Sequence, residues 1–173
     1  VITPCLEERI SEWQSLELDL ALQTYRQFEW VWSVDDARSG PASVRNALVS
    51  SASYDWLAFV DDDDHIAPDH LMTLATMASA ASENQHVFYT MCEVEGDDWK
   101  PDHDCSHRDI TWRNTIPITT LVRRGAFNVV GGFRPASEPE DHDLWKRIYW
   151  KYGAAAFVCS HAVTWTYRFH GNN

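Results

Sequence analysis

Trp56-Leu57-Ala58-Phe59-Val60-Asp61-Asp62-Asp63-Asp64-His65 is the stretch on which the fold turns. Five apolar residues in a row, bounded by polar ones, read as a short buried strand. The strand runs directly into four consecutive carboxylates, which repel one another strongly. Such a run is either a solvated acidic turn or a place where a divalent cation with oxygen ligands relieves the repulsion. It is not a calcium loop of the helix-loop-helix kind, because alternating ligands and a terminal Glu at the right distance are missing.

Upstream, residues 1–3 read as the end of a buried strand, stopped by Pro4. Ser11 is a candidate N-cap, and Trp13, Leu16, Leu20 and Tyr25 recur at helical spacing, which predicts a helix over 11–24. Residues 28–34 are aromatic and β-branched and predict a strand ending in Asp35-Asp36. Ser39-Gly40-Pro41 is a turn, with Pro41 opening a helix to residue 52. Downstream, the pattern predicts a helix over 68–81, a strand over 86–94 and an extended segment over 116–122. A short helix over 124–130 stops at Gly131-Gly132, a helix over 139–152 is closed by Gly153, and strands follow over 155–158 and 163–167. Residues 95–109 are polar and aperiodic and read as a loop over a site. The alternation predicts an α/β domain with a mostly parallel central sheet and right-handed crossovers. Ligands bind beyond the carboxyl ends of such strands, where Asp35-Asp36 and the run 61–64 would share one rim.

The length of 173 residues fits one domain, and 45% hydrophobic with 23% charged residues is an ordinary globular balance. A net charge of −12 argues against a general nucleic-acid binder. No apolar run reaches membrane-spanning length, and the first residues do not read as a signal peptide. Cys5, Cys92, Cys105 and Cys159 are widely scattered, which predicts reduced thiols and a cytoplasmic protein, although the even count also permits disulfides. Among the nine Trp, some are expected to pack the core and some to line a sugar site.

Several segments, taken in order, resemble the family 2 glycosyltransferases of the GT-A fold. They are Ile2-Thr3-Pro4, Val34-Asp35-Asp36, Val44-Arg45-Asn46-Ala47, the run from Ala58 through Asp64, and Pro68-Asp69-His70-Leu71. Gly131-Gly132-Phe133, the run Glu140-Asp141-His142-Asp143-Leu144-Trp145-Lys146-Arg147, and Tyr167-Arg168-Phe169-His170 continue the series. The resemblance implies a Rossmann-like α/β/α sandwich forming a single domain over 1–173. Residues 1–94 would be its nucleotide-sugar half and 95–173 its acceptor side. It implies that Pro4, Asp35, Asp36, Arg45, Asp61 and Asp62 hold the nucleotide sugar. Asp61-x-Asp63 resembles the family's DxD motif, so Asp61, Asp63 and His170 are the implied ligands of Mn²⁺ or Mg²⁺. Asp141 is the implied general base, kept ionised by its place at a helix N-terminus. The implied reaction is inverting transfer from a nucleotide sugar, with UDP-sugars first, to a hydroxyl acceptor. Two departures stand out: Cys5-Leu6-Glu7 replaces the polar pair that usually follows the first Pro, and only eight residues separate Asp36 from Arg45.

Other classes stay open. A non-catalytic sugar-nucleotide or carbohydrate-binding module could share the fold, and a transferase acting on hydroxymethylated DNA bases could share the chemistry. Intact Asp141 and His170 favour an enzyme. A nucleotidyltransferase ranks last, because no Gly-rich phosphate loop follows the first strand. His103, Cys105 and His107 match no common structural zinc spacing. Trp99 and Trp112 flank their loop, as acceptor contacts or as ordinary packing.

Overall fold

The structure is a computed structural model that describes residues 1–95, 105–107, 109–134 and 139–168. Among the described residues seven strands are formed: β1 (Ile2–Cys5), β2 (Val31–Val34), β3 (Trp56–Ala58), β4 (His65–Ile66), β5 (Val87–Glu95), β6 (Thr120–Arg123) and β7 (Phe157–Arg168). The α-helices are α1 (Ile10–Leu22), α2 (Pro41–Ser51), α3 (His70–Ser79), α4 (Arg124–Val129) and α5 (Glu140–Tyr152). A 3-10 turn over Glu7–Arg9 leads into α1.

Strand order is β3-β6-β5-β7-β4 in one sheet, with β1 and β2 forming a parallel pair beside it. A parallel bridge between Ile2 and Phe59 joins the pair to the larger sheet. The central sheet is mixed rather than mostly parallel: β3–β6, β6–β5 and β7–β4 are antiparallel, and β5–β7 is parallel. The βαβ alternation holds through the first half of the chain. Beyond β5 the chain returns as β6, whose direction the periodicity could not reveal.

The layers follow from strand alternation. Leu57 and Phe59 face one core cluster, which includes Val44 and Leu48 of α2, Phe127 of α4 and Trp145 of α5. Ala58 and Val60 face the other, with Leu16 and Leu20 of α1 and Leu71 and Leu74 of α3. Five consecutive apolar residues were needed because both faces are covered.

Several boundaries differ from the sequence reading. The first strand continues through Pro4, opposite Ser33 of β2. The two short strands read near the C-terminal end are one strand, β7, with register shifts opposite Thr90 to Cys92. His161 and Ala162 have no register partner there, and their exposure broke the apolar pattern. β4 is two residues long, too short for any pattern.

Cys105 and Cys159 form a disulfide, with Cα atoms 5.2 Å apart, whereas Cys5 and Cys92 are free. This corrects the expectation of four reduced thiols: a separation of 54 residues conceals that β7 passes close to Cys105. The cytoplasmic expectation loses that support. No helix among the described residues is long and apolar enough to cross a membrane.

Candidate active site

The ends of β1, β2 and β3 and the starts of α2 and α5 meet around a cavity of about 860 Å³. Pro4, Asp35, Asp36, Arg45, Asp61, Asp62, Asp63 and Asp141 all line it. Apart from His170, these are the residues that the sequence singled out, and the fold brings them together from five separate segments. His170 lies outside the described residues, as does most of the loop expected over the site. Trp165 and Tyr167 add aromatic surface to the wall. Trp112 is 85% exposed and does not line the cavity, and Trp99 is outside the described residues.

Two backbone clasps set the rim. Asp35 accepts the Ser39 and Gly40 N–H groups, both at 2.8 Å, and the Ser39 hydroxyl at 2.9 Å. Those bonds, the Ser39 N–H foremost, hold its carboxyl below the usual carboxylate range. Asp35 therefore shapes the turn into α2, while its exposed neighbour Asp36 turns toward solvent and the cavity. The second clasp joins two sequence motifs. The Asn46 amide donates to the Phe133 carbonyl at 2.9 Å, and the Asn46 Oδ1 accepts the Phe133 N–H at 3.0 Å. Arg147 of α5 donates to the Val130 and Gly132 carbonyls at 2.6 and 2.7 Å and pairs with Asp143. The Gly131-Gly132-Phe133 turn is thus tied to both α2 and α5.

Charge is arranged in two layers. Arg45, whose side chain is 4% exposed, pairs with Asp61 on one side and with Glu140 at 2.5 Å on the other. Arg9 pairs with Asp63 and lies 3.4 Å from Asp62, which also accepts the Leu6 N–H at 2.9 Å. Burial pushes the Asp62 carboxyl up to about 6, and it holds Asp64, which accepts the Thr119 hydroxyl at 2.8 Å, well above the usual range. Burial, with Asp62 and Asp61 adding to it, drives the Cys5 thiol up to about 12, so Cys5 packs beneath the site as an inert group.

Asp141 lies at the first turn of α5 and is held by Asn114, whose amide is 3.1 Å from each carboxylate oxygen. Its Oδ1 also accepts the His142 N–H at 2.7 Å. Burial nonetheless raises its carboxyl above the ordinary value, with Glu140 adding to the rise. The expectation that the helix terminus would lower it is corrected: desolvation outweighs the helix terminus and the Asn114 donor.

Sequence reasoning missed Arg9 and Asn114. A signal existed for Arg9, because an arginine at the N-terminus of a helix opposes the helix dipole and must be held by something else. Asn114 sits in an aperiodic stretch and carried none.

The donor chemistry fits a hard divalent cation. Asp61 and Asp63 present carboxylate oxygens to the cavity, and a magnesium-type ion commonly takes one or two carboxylates with substrate phosphates and water completing its shell. Among the described residues no three metal-binding side chains converge.

Residues 34–138, more than half of the chain, match the Glycosyl transferase family 2 profile. The chain belongs to glycosyl transferase family 2. No curated protein sequence matches it. Among solved structures, this family 2 chain resembles S. aureus TarS 1-349, with a TM-score of 0.76 and 16% identity over 96% of this chain and 59% of that one. The TarS 1-349 complex with UDP-GlcNAc gives 0.76 and 16% over 99% and 58%. The mannosyltransferase PcManGT from Pyrobaculum calidifontis, in complex with GDP-Man and Mn²⁺, gives 0.72 and 12% over 96% and 55%. At these identities the likeness establishes the GT-A fold. The family 2 chain spans 55 to 59% of the length of these structures.

Proposed function

We propose that this chain carries the donor site and catalytic base of a metal-dependent, inverting glycosyltransferase that moves a sugar from a nucleotide sugar to a hydroxyl acceptor. The observation that carries this reading is the single cavity lined by Asp36, Arg45, the 61–63 carboxylates and Asp141. UDP-sugars are the first candidates: TarS 1-349 was crystallised with UDP-GlcNAc, while the structure of PcManGT holds GDP-Man.

In this reading residues 1–94 supply the donor half, with Asp36 on the nucleotide and Asp61 to Asp63 beside the diphosphate. Residues 95–173 supply the acceptor side, and His170 adds to the metal shell. Mn²⁺ or Mg²⁺, when bound by Asp61 and Asp63, would act as a Lewis acid that stabilises the departing diphosphate. The sugar passes through an oxocarbenium-like transition state. Asp141 takes the proton of the acceptor hydroxyl onto a carboxylate oxygen as that oxygen attacks the anomeric carbon from the face opposite the diphosphate, which inverts the centre. Asn114 keeps both oxygens of the base in place. Arg45 ties Asp61 to Glu140 and so holds the donor strand end against the helix that carries the base. Acceptors on hydroxymethylated DNA are disfavoured by the net charge of −12.

The test is a hydrolysis and transfer assay with a panel of UDP-, GDP- and other nucleotide sugars plus Mn²⁺. Turnover of one donor, lost in Asp63→Ala and with chelator, is expected. Donor binding without any turnover across a broad acceptor set would instead favour a non-catalytic module.

A further inference from the structure

The acidic run at the end of β3 is already answered by cations of the protein itself. Arg45 takes Asp61 from inside the core, and Arg9 takes Asp63 and approaches Asp62 from the cavity wall. The two arginines are not equivalent. Arg45 is buried and bridged to a second carboxylate, Glu140, so it is fixed from two sides. The Arg9 side chain is 29% exposed, and among the described residues its two ion pairs are both with the acidic run. It projects from the 3-10 turn Glu7–Arg9, at the N-terminus of α1, where the helix dipole disfavours a cation. What holds it there is the pair of carboxylates.

A guanidinium on Asp63 occupies the electrostatic place that a divalent cation would need. Two cations cannot share one carboxylate pair at close range without strong repulsion. A guanidinium also matches a phosphate as well as it matches a carboxylate, through paired N–H donors. We infer that Arg9 is a resident counter-cation of the donor site, which competes with the divalent ion for Asp63 until an incoming diphosphate offers the guanidinium another anion. The metal and the nucleotide then enter together, and the metal alone binds poorly. This inference rests on the donor-site reading above and assigns Arg9 as a positioning residue for the metal and the diphosphate.

The test is a titration with MnCl₂ alone, without nucleotide, followed by electron paramagnetic resonance of free Mn²⁺. Wild type, Arg9→Met and Arg9→Lys are compared. Arg9→Met should bind Mn²⁺ at least about tenfold more tightly than wild type, because a like charge next to the ion has gone. Arg9→Lys keeps the charge and should stay within about threefold of wild type. Arg9→Gln, which keeps a donor for Asp62, serves if Arg9→Met does not fold. Equal or weaker Mn²⁺ binding by the neutral variants would overturn the inference.

Calorimetry of UDP with Mn²⁺ on wild type separates the two readings. If wild type binds UDP with Mn²⁺ while the neutral variants gain nothing, the Arg9 inference alone fails. If the neutral variants gain Mn²⁺ affinity but no nucleotide binds, the competition stands and the donor-site reading falls.

Discussion

Asn114 holds Asp141 by both carboxylate oxygens, its side-chain nitrogen lying 3.1 Å from each. The contact reaches across 27 residues and fixes the carboxylate of α5 at the cavity wall. It also opposes the burial that raises the Asp141 carboxyl. A base works only when ionised, so activity should rise with pH through a point above the ordinary carboxylate value. Removing the donor in Asn114→Leu should move this acid limb to still higher pH and leave the donor KM unchanged. Asp141→Asn should lower kcat by roughly 10²–10⁴, and Glu140→Gln by less. An acid limb that stays put in Asn114→Leu would remove the positioning role.

Arg45 joins two carboxylates that lie 79 residues apart in the chain. Arg45→Met removes the buried guanidinium that bridges Asp61 and Glu140. The variant should lose about 3 kcal/mol of stability, since breaking a buried pair strands its partners. Urea denaturation of metal-free protein measures this. A loss below about 1 kcal/mol would mean that solvent already screens the pair.

Gly132 and Gly125 predict opposite signs. At Gly132 φ is +66°, and an added Cβ would lie 2.8 Å from Asn46 Oδ1 and 3.1 Å from the Phe127 ring. Gly132→Ala should cost about 1–3 kcal/mol. Gly125 lies in α4 with nothing within 4 Å of an added Cβ, so Gly125→Ala should be neutral or stabilise by up to about 1 kcal/mol. Melting curves of the two variants decide. A tolerated Gly132→Ala would show that the Asn46 clasp can open.

The strand-end carboxylates were legible because the apolar run from Trp56 to Val60, covered on both faces, stands directly before them. The cavity residues followed from that reading and from motif order. What stayed hidden depends on contacts that sequence spacing does not encode. The direction of β6 is set by pairing with β3 and β5. The bulge at His161 and Ala162 split one strand into two apparent ones. The Cys105–Cys159 bridge joins residues 54 apart. The Asp141 shift was misjudged for the same reason: the helix terminus is visible in sequence, and the depth of burial is not.

In the proposed function, the cavity beyond β1, β2 and β3 holds a nucleotide diphosphate. The most direct test is a crystal structure of the protein soaked with UDP and Mn²⁺. The nucleotide is expected beside Asp36, with its diphosphate and the metal at Asp61 and Asp63, and with Arg9 moved from Asp63 onto a phosphate oxygen. Nucleotide bound elsewhere on the protein, with the Arg9–Asp63 and Arg45–Asp61 pairs intact and this cavity empty, would contradict it.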